Sequence, residues 1–308
     1  MGARHGSCNR RTAVRGLVAT SLVFAAWAGP ACADWRSETG TFRIGVVSRG
    51  DRGGAAADYG AAAAAISDKI GMPVEFVPFL NYPALIDAQV ASRVEYAIYS
   101  ATAYGTASAL CECLTPLAAP VSENGARAVV AIAAATGDAV AGLDDIANAR
   151  LAWPEMDGPG PDIVMATQFV VGGNVVKGDE PFVVSVADPT AAVAALASGE
   201  ADAMAGWAYA GADSAAMDGT GTLASLSAAK IDYRLVWTST PLRFGPHAVR
   251  RDVPADIRSK LVDFLTVDLR ERPELSELMD ESFHGLFEPA SDSDYAIAVR
   301  YAQQLRSR

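Results

Sequence analysis

The chain has 308 residues, with 36 acidic against 25 basic side chains and a formal net charge of −11. That length holds two modest domains or one large one. So acidic a surface makes a poor partner for nucleic acid or an anionic membrane.

Residues 1–33 carry Arg4, Arg10, Arg11 and Arg15 and no acid. An apolar run from Leu17 to Ala28 follows, then Ala31-Cys32-Ala33 in a small-x-small pattern. This reads as a secretory signal peptide, because the apolar run is too short to span a bilayer. Arg10-Arg11 hints at twin-arginine export, but the residues after it fit poorly. Cys32 hints at a lipid anchor, but Gly29 and Pro30 stand where that motif wants an aliphatic residue. The expectation is cleavage before Asp34 and a soluble protein in the periplasm. Losing the leader leaves 275 residues, 21 basic against 36 acidic, and a net charge of −15. An anionic ligand must then be held by local donors against an unfavourable overall field.

Phe42 to Ser48 is rich in β-branched residues and predicts a first strand. Arg49-Gly-Asp-Arg-Gly-Gly is a turn, with neither a dinucleotide fingerprint nor a P-loop ending. Ala55 to Ile70 predicts a helix, stopped by Gly71 and Pro73. Val74 to Pro78 is a second strand. Asn81-Tyr82-Pro83 opens a helix to about Ser92, with Pro83 in the favoured first turn.

Val94 to Gly105 is the stretch to which the rest of the chain relates. Its first half alternates as a buried strand, and its second half turns to small residues that open a helix. Tyr99, Ser100, Thr102 and Tyr104 stand at the switch. Such a junction leaves unpaired amides and hydroxyls at the positive end of a helix, where a small oxyanion can sit. The plainer reading is a Ser N-cap like those at most such junctions.

Cys111 and Cys113 follow as Cys-Glu-Cys, the two cysteines that remain without the leader. Two are too few for a disulfide framework or a complete zinc site, and no metal is expected. One reading makes them structural, as thiols or a local bridge. The other makes them a dithiol that captures a thiophilic species.

Leu114 to Val121 is a short apolar segment broken by Pro116 and Pro120, and Ala126 to Ala135 is a clear strand after a first crossing between domains. Leu143 to Asn148 is a short helix, Arg150 to Trp153 a strand, and Pro154 to Pro161 a loop. Asp162 is expected to cap a helix to about Val171. Phe182 to Val186 and Ala201 to Trp207 are strands around a helix from Pro189 to Ser198. Tyr233 to Ser239 is a strand read as the return crossing. Amphipathic helices follow at about 254–270, 273–281 and 292–306. Alternation of this kind predicts mainly parallel sheets with right-handed crossovers, flanked by helices and binding ligand at the strands' carboxyl ends. Two such units joined by two crossings predict a two-lobed α/β fold with a ligand cleft between hinged lobes. The expected partition is lobe 1 over 34–122 and 235–308, and lobe 2 over 123–234.

Several phrases now carry a resemblance: Phe42-Arg-Ile-Gly-Val-Val, Asn81-Tyr-Pro-Ala-Leu-Ile-Asp-Ala and Glu95-Tyr-Ala-Ile-Tyr-Ser-Ala-Thr-Ala-Tyr in the first half, then Pro116-Leu-Ala-Ala-Pro-Val, Ala192-Val-Ala-Ala-Leu-Ala-Ser-Gly-Glu-Ala-Asp-Ala and Arg234-Leu-Val-Trp-Thr-Ser-Thr-Pro. In their order and spacing the chain resembles the periplasmic phosphate/phosphonate-type substrate-binding proteins of ABC transporters, over nearly all of residues 42–300. The resemblance implies a ligand held between two lobes and delivered to a membrane permease. It implies that Tyr82, Ser100, Ala101, Thr102 and Tyr104 help form the site.

The second lobe departs from that pattern. Where the family has a Ser/Thr-Gly turn that grips oxyanion oxygens, this chain has Asp157-Gly158-Pro159-Gly160-Pro161. Two prolines remove two donors, and Asp157 adds negative charge. Asp157 is either an exposed turn residue or an acceptor for a protonated or cationic ligand group. Asp188-Pro189 stands where the family often has a histidine, and Trp207 where it has an acid. Trp207 is either core packing or, with Tyr209, an aromatic contact. Arg243, past the return strand, is a candidate positive group near the cleft. His247 and His284 read as ordinary surface or interface histidines.

No Gly-x-Ser-x-Gly, His-Glu-x-x-His or nucleophile–base pairing is present, so neither an enzyme nor a cofactor is expected. The expected function is capture of a small oxyanion or phosphonate-like solute by a monomer serving an ABC permease. The alternative keeps the fold as a sensor, for arsenite for instance, that signals to a membrane kinase.

Overall fold

A computed structural model describes residues 35–47, 59–137, 139–155, 159–213, 216–217, 219–280 and 286–307. The leader, the loop at 49–54 and His284 lie outside them. A short helix α1 (Trp35–Thr39) leads into β1 (Phe42–Val47). Then come α2 (Gly60–Ile70), β2 (Val74–Phe79), α3 (Tyr82–Val90), β3 (Tyr96–Ile98), α4 (Ala101–Cys111) and β4 (Leu114–Val121). The chain passes to β5 (Ala128–Ala135), a one-turn helix at Leu143–Asn148, β6 (Leu151–Pro154) and α5 (Pro159–Gln168). A small ribbon of β7 (Val170–Val171) and β8 (Asn174–Val175) precedes β9 (Val183–Val186), α6 (Pro189–Ser198), β10 (Ala203–Ala210) and α7 (Gly221–Ala228). The final elements are β11 (Arg234–Thr238), β12 (Leu242–Arg243), β13 (His247–Arg250), α8 (Ala255–Thr266), α9 (Pro273–Met279), β14 (Leu286–Pro289) and α10 (Ala296–Arg306).

The strands form two main sheets, ordered β14-β4-β13-β3-β1-β2 and β11-β5-β10-β6-β9, with β12 also on β5. The expectation of mainly parallel sheets holds for only half of each. In the first, β1 runs parallel to β2 and β3, because strand–helix–strand units built that half. In the second, β6 is parallel to β10 and β9. The remaining pairs are antiparallel, nearly all of them made by β5 and β13, two strands that follow β4 and β12 with no helix between. Strand β11, read from the sequence as the return crossing, pairs with β5 in the second sheet, as does β12. The chain re-enters the first sheet at β13.

Three local expectations give way. Leu114 to Val121 is an unbroken strand despite its prolines. Pro116 pairs only with β13, beside a register shift, and Pro120 only with β14, so neither faces strand neighbours on both sides. Helix α5 starts at Pro159, inside the expected loop, because proline suits a first helical turn whose amides are unpaired in any case. It stops at Gln168, where the β7–β8 ribbon begins. Strand β14 is too short, at four residues, to leave a periodic signal.

Apolar residues cover both faces of each sheet. One cluster joins β1 to α2 and α8, and another packs α3 and α4 on the opposite face. The second sheet has one cluster under α5 and one under α6 and α7. Ala101, the first residue of α4, packs against clusters of both sheets. Gly105 on α4 lies so close to α10 that a Cβ there would fall 2.6 Å from the Ala298 carbonyl carbon.

His247 is not a surface residue. It is 1 % exposed, hydrogen-bonded through Nδ1 to the Tyr96 hydroxyl and edge-on to Phe287 at 4.9 Å. Burial pulls its pKa from 6.5 down to about 3, against a hydrogen bond with the Met279 backbone. The folded protein therefore keeps the imidazole neutral while the unfolded chain takes up a proton below its ordinary pKa of 6.5. Stability should fall as pH drops through that window, by up to about 1.4 kcal/mol per unit from this group. Urea unfolding at pH 7 and pH 5 measures the loss, and His247→Gln should make it smaller.

Candidate functional site

Helix α4 begins where β3 ends. Ser100 links them in extended conformation, and its Oγ accepts the Ala103 amide at 3.2 Å. It is thus the N-cap that the plainer reading expected. Tyr104 donates its amide to the Ser100 carbonyl at 3.0 Å. The amides of Ala101 and Thr102 have no partner among the described residues, as the first turn of a helix requires. The Thr102 hydroxyl lies 3.1 Å from that of Ser100. Two open amides and two hydroxyls therefore share the positive end of an 11-residue helix.

Three tyrosines back this turn. Tyr99 is 3 % exposed, and its hydroxyl has no hydrogen-bond partner among the described residues. Burial pushes its phenol up, so it stays a neutral donor. Its ring centroid is 6.5 Å from that of Tyr82 and 6.4 Å from that of Tyr104. Tyr82 opens α3 behind the Asn81 cap and is half-buried. Tyr104 is fully buried, and its hydroxyl donates to Asp292 Oδ1 at 3.0 Å. Burial first and Asp292 second push that phenol up. Tyr104 therefore holds the helix from behind.

The link from β12 to β13 lies against the same turn. Tyr99 donates its amide to the Pro246 carbonyl at 3.0 Å. A Cβ on Gly245 would fall 1.9 Å from the Tyr99 carbonyl oxygen and 2.6 Å from Ser100 Cα, so glycine alone fits. Phe244, the residue before it, meets the Tyr209 ring at 5.4 Å, and Tyr209 meets Trp207 at 5.3 Å. Trp207 is half-buried against the cluster under α5. Phe244 and Gly245 carried no sequence signal of their own, although a Phe-Gly-Pro run after a strand marks a tight passage.

Gly160 is the second residue of α5, where a Cβ would lie 3.8 Å from Leu242 and from Val129. Asp157 and Gly158 lie outside the described residues. Arg243 is 8 % exposed and faces the β14 side of the molecule. Its Nη1 donates to the Pro289 carbonyl at 3.2 Å and approaches Asp294 Oδ2 at 3.7 Å, while Nη2 reaches Glu288 Oε2 at 3.4 Å. Glu288 also pairs with Arg127, at 3.1 Å. A cavity of about 330 Å³ opens here, bordered by Arg127, Thr240, Arg243, Asp294 and Arg300. The structure thus gathers Tyr82, Tyr99, Ser100, Ala101, Thr102 and Tyr104, reaches Trp207 through Phe244, and turns Arg243 to Glu288, Pro289 and Asp294.

Cys111 and Cys113 are bonded to each other across Glu112, which takes a left-handed conformation at the end of α4. A dithiol already closed on itself captures no thiophilic ion, and it stands about 15 Å along the helix from Ser100.

Residues 44–295 match the family described as the periplasmic substrate-binding protein of phosphonate ABC transporters. The chain belongs to this family. Like its other members, it is a periplasmic-type protein that binds a small molecule for an ABC permease, and the family is one of transport rather than catalysis. The sensing alternative finds no support there. No curated relative matches the chain by sequence. Among solved structures, the chain resembles protein XAC2383 of Xanthomonas citri bound to ATP, with 12% identity and a TM-score of 0.52, over 87% of this chain and 98% of that one. It also resembles a phosphonate transporter's binding protein from Pseudomonas aeruginosa (15% identity, TM-score 0.45, 87% and 86% covered). A third is PhnD1 of Prochlorococcus marinus in complex with methylphosphonate (11% identity, TM-score 0.46, 87% and 99% covered). The first of these supports the two-lobed fold. Among the described residues no helix is long and apolar enough to cross a membrane.

Two outcomes test this geometry. Gly245→Ala should destabilise the phosphonate-type binding protein by about 1–3 kcal/mol in urea unfolding, because backbone must move to admit the methyl. Replacing Cys111 and Cys113 with serine should lower stability by about 2 kcal/mol or less, since the bridge closes so short a loop.

Proposed function

We propose that the protein captures a small phosphonate- or sulfonate-type oxyanion at the N-terminus of α4 and hands it to an ABC permease. The observation that carries this reading is the pair of open amides of Ala101 and Thr102 at the start of α4, which follows directly on Tyr99, a residue whose buried hydroxyl has no partner among the described residues. A buried donor without an acceptor costs free energy, and an oxyanion at this point supplies the acceptor. Ser100 and Thr102 add hydroxyls that rotate to donate or accept. Tyr82 closes the near wall, with Gly160 and Trp207 on the opposing side. All of these donors are neutral, so the anion is held by dipoles and hydrogen bonds rather than by an ion pair. That suits discrimination of shape and protonation state more than brute affinity.

Tyr99→Phe separates a ligand role from a structural one. Calorimetric titration with methylphosphonate, methanesulfonate and phosphate should find at least one binder, and the substitution should weaken it about tenfold. Stability of the ligand-free protein should not fall, because the hydroxyl has no partner to lose. Unchanged affinity in the variant, or no binding of any of the three at millimolar concentration, overturns the assignment.

A further inference from the structure

From the cavity bordered by Arg127, Arg243 and Arg300 we infer a second ligand site, one that takes a small dicarboxylate and is separate from the α4 turn. Its walls come from three places. Arg127 stands just before β5 on the outgoing passage, and Thr240 and Arg243 stand on the returning one. Asp294 precedes α10, while Ile297 and Arg300 lie on it, three positions apart and so on one side of the helix. None of the bordering residues belongs to the stretch from Tyr99 to Tyr104. Leu242 lies beside Gly160 of α5, and adjacent residues of a strand point opposite ways, so Arg243 points away from Gly160.

Charge decides what fits. Three guanidinia and one carboxylate border the cavity, although acids outnumber bases over the whole chain. The one carboxylate, Asp294, is already committed: it accepts the Ser291 amide at 2.8 Å and the Ser291 hydroxyl at 3.0 Å. Arg300 is exposed and makes no hydrogen bond or ion pair with any described residue. Arg243 is buried, yet its charge is loosely compensated. Its hydrogen bonds run from 3.2 to 3.4 Å, and its Nε has no partner among the described residues. A good charge-assisted bond is shorter, at about 2.7–2.9 Å. A buried cation held that weakly gains from a further anion. Each guanidinium is a planar fork that matches a carboxylate two bonds at a time. The forks reach this cavity from two sides, the passages and α10. An ion with a carboxylate at each end therefore fits better than one with a single charge. A volume of about 330 Å³ leaves room for the short chain between them.

Calorimetric titration of the purified protein with succinate, and with monomethyl succinate as the singly charged ion of the same length, tests the inference. Succinate should bind one to one, about tenfold tighter than its monoester. Arg300→Gln should weaken succinate about tenfold. Urea unfolding of the ligand-free variant should match that of the unaltered protein, because Arg300 is exposed and has no partner to lose among the described residues. Equal affinity for the two ions, succinate affinity untouched by Arg300→Gln, or no binding of succinate at about 10 mM overturns the dicarboxylate site. Each of those results leaves the oxyanion reading as it was, because Arg300 and this cavity take no part in it.

Discussion

Backbone meets backbone at one point on which the rest of the site depends: Gly245 against the Tyr99–Ser100 turn. Contact that close fixes the end of β3, the cap of α4 and the passage between the sheets as one unit. The Phe244 amide donates to the Arg127 carbonyl at 3.1 Å, which ties the return passage to the outgoing one. The Tyr295 hydroxyl donates to the Phe244 carbonyl at 2.7 Å and anchors the same passage to the start of α10. With these bonds in place, the two sheets meet beside the positive end of a helix. A side chain at residue 245 would wedge them apart.

The electrostatics follow from the same arrangement. With a formal net charge of −11, the chain repels anions at a distance. Screening makes that field fall off over about 8 Å at physiological salt, whereas hydrogen bonds at a helix terminus act on contact. The cations nearest the passage are already engaged: Arg127 and Arg243 both hold Glu288. They serve to brace β14 against the two passages. At the site proposed for the ligand the donors are neutral, and neutral donors are insensitive to the overall charge.

Helix α4 suits its position because its buried residues are small. Ala103, Gly105, Ala107 and Ala109 let α3 and α10 approach closely, and Tyr104 is the one large side chain among them, buried against Tyr295 at 4.9 Å. Close packing on both flanks leaves the helix little freedom to shift its N-terminus. The disulfide and the left-handed Glu112 then turn the chain sharply into β4. One short helix therefore carries a rigid N-terminus and a covalently fixed exit.

Much of this was legible in the residues themselves. Composition, prolines and capping residues marked β1 to β3 and α3 to α6, alternation marked β3, and a Ser after a Val/Ile/Tyr run marked the cap, because local propensity and the buried pattern agree there. Phosphonate-type family membership was legible from the order of several weak phrases. What the sequence could not determine arises from distant partners. Pro116 and Pro120 sit in a strand because β13 and β14 each leave one of them a free side. His247 is buried because Tyr96 and Phe287 close over it, and Arg243 turns to Glu288 and Asp294 because β14 ends beside it. Tyr209 meets both Trp207 and Phe244 only once β10 and the returning passage are side by side. Sequence alone determined most of the helices and strands of the first half and where one helix would offer its amides, since those depend on neighbours within a few positions. Tertiary structure decided what faces those amides, since that depends on residues more than a hundred positions away.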